Sequence, residues 1–180
     1  MIYNNKEAMK KYKSYYNINR AIENKELYRI DHGVYSTNPK PDPIIVASIK
    51  HRNAILTLNT AFYLYNLSNK LSDKIYLACT RNADKFNDKN VEQMCMEKEM
   101  INIGKTTIKY KDRELPIYDK ERLLIELIRK KWTMDYTYYK TIINNYRKIA
   151  NTLDTNKLMD YTPHFYNGKS ILDTIMSEVF

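Results

Sequence analysis

The side chains of this sequence best suited to chemistry are recognition groups rather than catalytic ones. Between Tyr15 and Ser36 the chain reads YYNINRAIENKELYRIDHGVYS. Ile18, Ala21 and Ile22 recur at i, i+3, i+4, so the spacing predicts a short helix with one apolar face and with Asn17, Asn19 and Arg20 off it. In a DNA major groove an Asn amide pairs bidentately with adenine and an Arg guanidinium with guanine. Tyr16, at the helix start, suits a sugar-phosphate contact or the methyl of thymine. Lys10, Lys11, Lys13, Lys25 and Arg29 carry charge for phosphates, which position a protein on a duplex without reading its sequence. His32 stands where it could reach a minor groove, although solvent is the simpler surrounding.

The elements that must position these groups follow from the flanking residues. Asn5 is placed to cap a helix from Lys6 to about Lys13, with Ala8, Met9 and Tyr12 on one face and Lys6, Lys10 and Lys13 on another. That lysine face suits phosphates, and it equally suits plain solvation. Ser14 is placed to cap the second helix. Leu27 to Ile30 and Val34 to Ser36 are β-rich runs, and Asp31-His32-Gly33 between them reads as a tight turn, with Gly33 free to take a positive φ. A helix followed at once by a two-stranded ribbon is how a winged helix-turn-helix ends, with the helix for the major groove and the wing beside it. Only one helix fits ahead of it, so the expected domain is trimmed or borrows support from the rest of the chain.

Charge agrees without singling this segment out. The chain has a net charge of +9, which favours an anionic partner, but its wealth of Lys, Asn, Ile and Tyr also fits AT-rich coding. Residues 1–36 carry seven basic and four acidic side chains, whereas residues 105–148 carry twelve and six. Three of the five prolines fall in the segment TNPKPDP, residues 37–43, which reads as a stiff linker. The expected organisation is α+β: a small winged helix-turn-helix domain over 1–36, the Pro-rich linker over 37–43, and a mixed α/β domain of short strands and packed helices over 44–180.

In that second domain the sequence predicts a helix over 44–50, a short buried strand over 54–58, and a helix from an Asn59 or Thr60 cap through Leu67. KIYLACT, residues 74–80, alternates as a strand does, and further short strands are expected between 91 and 109. Asp119 caps a helix whose stripe is Leu123, Leu124, Leu127 and Ile128, with Arg122–Glu126 and Glu126–Lys130 as i,i+4 ion pairs. Helices over about 135–153 and from Ser170 complete the chain.

Catalytic patterns are missing. His32, His51 and His164 are isolated, three glycines cannot build a phosphate cradle, and Cys79 and Cys95 have no CxxC spacing. A nuclease-type acidic-x-Lys triplet occurs only as Glu23-Asn24-Lys25, in the expected recognition helix. No enzyme, metal or cofactor is expected. Two free thiols, no apolar leader and no apolar run of spanning length predict a cytoplasmic protein.

Two stretches resemble AbiEi-family antitoxins of bacterial abortive-infection, type IV toxin-antitoxin systems. The first is carried by Ile18, Ala21, Ile22, Leu27, Tyr28, Ile30, Gly33, Val34, Tyr35 and Ser36. NTAFYLYNLS also resembles a family element. The second stretch is carried by Gly104, Tyr118, Asp119, Glu121, Arg122, Leu124, Leu127 and Arg129, with Leu123 and Glu126 standing where many relatives have Thr and Asp. The resemblance implies an N-terminal domain that represses its own promoter on double-stranded DNA, at inverted repeats bound by a dimer or by two monomers. It implies a C-terminal domain, with Tyr118, Asp119, Glu121, Arg122, Glu126 and Arg129 as its motif, that counters a nucleotidyltransferase toxin without binding it. Two other expectations stay open: a stand-alone winged-helix regulator, and an RNA- or protein-binding module that uses the basic 105–148 surface.

Overall fold

Asn4 starts the first helix, and it does so from the end of a strand. In the computed structural model, which describes all 180 residues, the chain divides into two compact units, Met1–Asn53 and Ala54–Phe180. The first begins with β1 (Ile2–Asn4), then α1 (Asn5–Tyr12) and α2 (Tyr15–Glu23). The hairpin β2 (Tyr28–Asp31) and β3 (Val34–Ser36) follows, and then α3 (Pro43–Lys50). The cap of α1 is Asn4, one residue earlier than the sequence suggests. Its Oδ1 accepts from the Glu7 amide at 3.0 Å while the Glu7 carboxylate accepts from the Asn4 amide at 2.8 Å, a reciprocal capping box.

β1 joins the hairpin through β3, antiparallel, with Ile2 opposite Ser36 and Asn4 opposite Val34, so the sheet runs β1-β3-β2. Ala8, Ile18, Ala21, Leu27 and Tyr35 form the core of this unit, with Tyr3, Met9, Tyr12 and Ile22 packed against it. Residues 37–43 are not a boundary. They carry the chain to Asp42, whose side chain caps the Ile44 and Ile45 amides, and α3 packs on β1 and β3 inside the first unit. Pro43 suits the first helical turn, where its missing N–H costs nothing.

The second unit holds β4 (Ile55–Leu56), α4 (Leu58–Leu64), β5 (Ile75–Thr80) and β6 (Val91–Met96). Next come β7 (Lys105–Tyr110), β8 (Arg113–Tyr118), α5 (Lys120–Lys130) and α6 (Tyr136–Lys148). It ends with α7 (Thr155–Tyr161) and α8 (Gly168–Glu178). Its sheet runs β6-β5-β4-β8-β7, mixed in direction: β5 and β6 are parallel, as are β4 and β8, while β4–β5 and β7–β8 are antiparallel. α4 begins at a Thr57 cap, ahead of the Asn59 or Thr60 expected, and ends before Leu67. α7 has no counterpart in the expected helices. No helix is long and apolar enough to cross a membrane.

α5 is the axis of this unit and packs against α4, α7 and α8. Every residue from Glu121 to Ile128 is buried, including the three charged ones that helical spacing alone would place in solvent.

Candidate nucleic-acid interface

α2 owes its exposed face to a short apolar stripe. Ile18 and Ala21 bury into the first unit's core, which leaves Tyr16, Asn19, Arg20 and Glu23, spaced i, i+3, i+4, i+7, as one outward row. Tyr16 is 73% exposed. Three of the residues predicted to touch bases or sugars, Tyr16, Asn19 and Arg20, therefore share a single face. Asn17 does not join them in a free state. Its Nδ2 donates to the Tyr12 carbonyl at 2.8 Å, bracing the end of α1 against the start of α2, while its backbone amide donates to the Ser14 cap at 3.2 Å. The bond to Tyr12 gives Asn17 a use in holding the turn, and a bidentate base pair would need its amide turned outward instead.

The lysines divide by how they are held. Lys11 donates to the Tyr3 hydroxyl at 2.6 Å and lies 4.7 Å from the Tyr3 ring centre and 5.4 Å from that of Tyr12. The Tyr3 hydrogen bond, more than the two rings, raises its pKa above the usual lysine value, so its charge is fixed in place as well as permanent. Lys13 and Lys25 each follow a helix in the left-handed region, at φ 71° and 60°. Lys13 closes α1 by donating its amide to Met9, and Lys25 donates to Ile22 before Glu26 and Leu27 donate to Ala21. Glycine or Asn is the common residue at such positions. Lys10 is exposed on α1.

On the ribbon, Arg29 and His32 are exposed and Gly33 turns at φ 69°. Asp31 fixes the turn: one oxygen accepts the His32 amide at 2.6 Å and the other pairs with Lys50 of α3 at 2.5 Å. The Lys50 hydrogen bond, followed by that from the His32 amide, holds the Asp31 carboxyl below the usual carboxylate range. Sequence reasoning missed Tyr3, which orients Lys11, because β1 leaves too short a pattern to be seen.

The motif of the second unit is largely an internal clamp, with Arg129 as its exposed member. Arg122 is fully buried, with its guanidinium 4.6 Å from the Tyr118 ring centre and 4.4 Å from that of Phe165. It pairs with Glu126 at 2.9 Å and donates to the carbonyls of Met100 at 2.9 Å and Ile103 at 3.2 Å. Glu126 takes its second partner from Arg129 at 2.8 Å, where the spacing had suggested Lys130. Asp119 caps α5 through the Arg122 amide and accepts from Lys157 at 3.2 Å and Tyr161 at 3.0 Å, while Glu121 accepts the Asp154 amide at 2.9 Å. Asp119, Glu121 and Arg122 thus tie α5 to segments distant in sequence, whereas Glu126 pairs within the helix. Gly104, at φ 71°, lies so close to Arg122 that a Cβ there would overlap the Arg122 Cβ.

Several of the basic side chains of residues 105–148 are held in ion pairs. Of the twelve cations there, at least Arg122, Arg129, Lys131 and Lys140 have carboxylate partners, the last two sharing Glu178. No group of three or more His, Cys, Asp or Glu side chains converges as a metal site would require. Compared with known proteins, the chain matches no family model and no curated sequence.

Proposed function

We propose that the first unit is a winged helix-turn-helix that lays α2 in a DNA major groove, and that the protein is the autorepressing antitoxin of a toxin-antitoxin pair. One observation carries the DNA half of this proposal. The chain runs strand, helix, helix, hairpin, with sheet order β1-β3-β2; the second helix keeps Tyr16, Asn19 and Arg20 on one outward row, and the ribbon that follows it in the chain bears the exposed Arg29 and His32. α3 supplies the additional helix that the sequence ahead of α2 has no room for; it arrives after the wing and packs on β1 and β3.

The division of labour follows from side-chain chemistry. Arg20 and Asn19 read base edges, Tyr16 packs on sugar or the thymine methyl, and Lys10, Lys11, Lys13, Lys25 and Arg29 hold phosphates. Each phosphate neutralised releases condensed counterions, so affinity falls steeply with salt. The antitoxin half rests on the resemblance of residues 18–36 and 104–129 to AbiEi-family proteins. The buried clamp around Arg122 would give that second unit a rigid frame.

The test is a fluorescence-anisotropy titration of DNA from upstream of the protein's own gene against scrambled DNA, at two salt concentrations. Preference for the upstream DNA is the expected result, and equal binding of both would overturn operator recognition. For the antitoxin half, the chain should rescue growth when co-expressed with a neighbouring nucleotidyltransferase gene, without co-purifying with its product. Failure to rescue leaves a stand-alone regulator.

A further inference from the structure

The chain has two cysteines, and the fold sets them side by side. Cys79 on β5 and Cys95 on β6 are direct partners in the parallel register of these neighbouring strands. Residues so paired point to the same face, and adjacent strands lie about 4.8 Å apart. That spacing falls inside the range of roughly 4.4–6.8 Å between Cα atoms that a disulfide bridges. Burial raises the Cys79 thiol above its usual pKa, and the neighbouring Cys95 adds to the rise. Their surroundings differ: Cys79 is buried and Cys95 is exposed.

We infer that Cys79 and Cys95 form a reversible, peroxide-driven disulfide between β5 and β6, with Cys95 as the thiol oxidised first and Cys79 as its resolving partner. This does not depend on the DNA-binding proposal. The exposed Cys95 thiolate attacks a peroxide oxygen; the S–O bond forms, the O–O bond breaks, and water or an alcohol leaves with the proton of the medium. The product is a sulfenic acid at Cys95. The Cys79 sulfur then attacks the Cys95 sulfur, the S–O bond breaks, and the Cys79 proton leaves with the departing hydroxide as water. Two thiols give up two electrons to one peroxide, and a small-molecule thiol such as dithiothreitol returns them by exchange.

A third side chain reports the state of the pair. Gln93 Nε2 donates to the Cys79 Sγ at 3.1 Å and to the Asp84 carbonyl at 3.1 Å, while its Oε1 accepts the Phe86 amide at 2.8 Å. Gln93 therefore joins the thiol to the connection between β5 and β6. When Cys79 turns toward Cys95, Gln93 loses its sulfur partner and its hold on residues 84–86 loosens.

The test uses the full chain, treated with stoichiometric hydrogen peroxide, alkylated and digested with trypsin without reduction. The expected product is Ile75–Arg81 joined to Asn90–Lys98 and lighter than their sum by H2, with both thiols lost and both restored by dithiothreitol. Hydrogen exchange of the Phe86 amide should quicken in the oxidised protein. Oxidation of Cys95 to sulfinic or sulfonic acid while Cys79 stays alkylatable, or a Cys95–Cys95 link between chains, would overturn the inference. The exposed Cys95→Ser change leaves the core intact. It should protect Cys79 from the same peroxide dose, and unchanged Cys79 oxidation would refute the order of attack.

Discussion

Arg122 and Glu126 meet at 2.9 Å one turn apart on α5, with side chains 0% and 1% exposed. A pair so placed has lost its water, and Arg122 compensates with two backbone carbonyls and two aromatic rings. Removing one partner strands the other. Glu126→Ala should cost about 3–5 kcal/mol, since it also deprives Arg129 of its partner, as read by urea denaturation. A loss under about 1 kcal/mol would mean that the pair is solvated, as an exposed helix pair is.

Gly104→Ala should be as damaging from the other side of the same contact. Its added Cβ meets the Arg122 Cβ, and it must hold a left-handed φ of 71°. Loss of about 3 kcal/mol or more is expected by the same measurement, and a change within about 0.5 kcal/mol, the scale of ordinary surface substitutions, would show that β7 can shift to make room.

The apolar half of this arrangement was legible in the sequence and the polar half was not. The α5 stripe and the Asp119 cap follow from spacing and residue type. The burial of Arg122 and Glu126 does not, because spacing shows an i,i+4 pair and says nothing of Met100, Ile103 or Phe165, which close over it from far along the chain. The same limit explains β1. Ile2–Asn4 is too short to show alternation, and it is a strand only because β3, more than thirty residues later, pairs with it. It explains the misplaced boundary as well: prolines mark a stiff turn at 37–43, but the packing of α3 on β1 and β3 decides which unit owns that helix. α2, the hairpin and Gly33 are local features and were readable. Asn17 has a base reader's chemistry, and only its bond to Tyr12 reveals its other use.

Lys13 and Lys25 hold left-handed conformations that favour glycine. Lys13→Gly and Lys25→Gly should therefore each stabilise the protein by about 1 kcal/mol in urea denaturation. If both lysines hold phosphates, each change should also lower the log-log salt slope of DNA binding by about 1. Greater stability with an unchanged slope would remove that lysine from the interface.

Asp31 gives the hairpin a pH dependence. Lys50 holds its folded pKa below the unfolded value of about 3.9. The folded state therefore binds this proton less readily than the unfolded state. The contribution is present in full above the unfolded value and is lost as pH falls through the lower folded one. Asp31→Asn should be less stable than the unaltered chain at about pH 7, and the gap should narrow toward about pH 3. A gap that stays constant would mean that Asp31 titrates alike in the folded and unfolded states.

The most direct measurement compares Arg20→Ala and Lys11→Ala on upstream and scrambled DNA in the same anisotropy titration. Arg20→Ala should cost about 1–3 kcal/mol on upstream DNA and far less on scrambled DNA. Lys11→Ala should weaken both equally and flatten the salt slope by about 1. Equal losses for Arg20→Ala on the two DNAs, or none, would contradict base reading by α2.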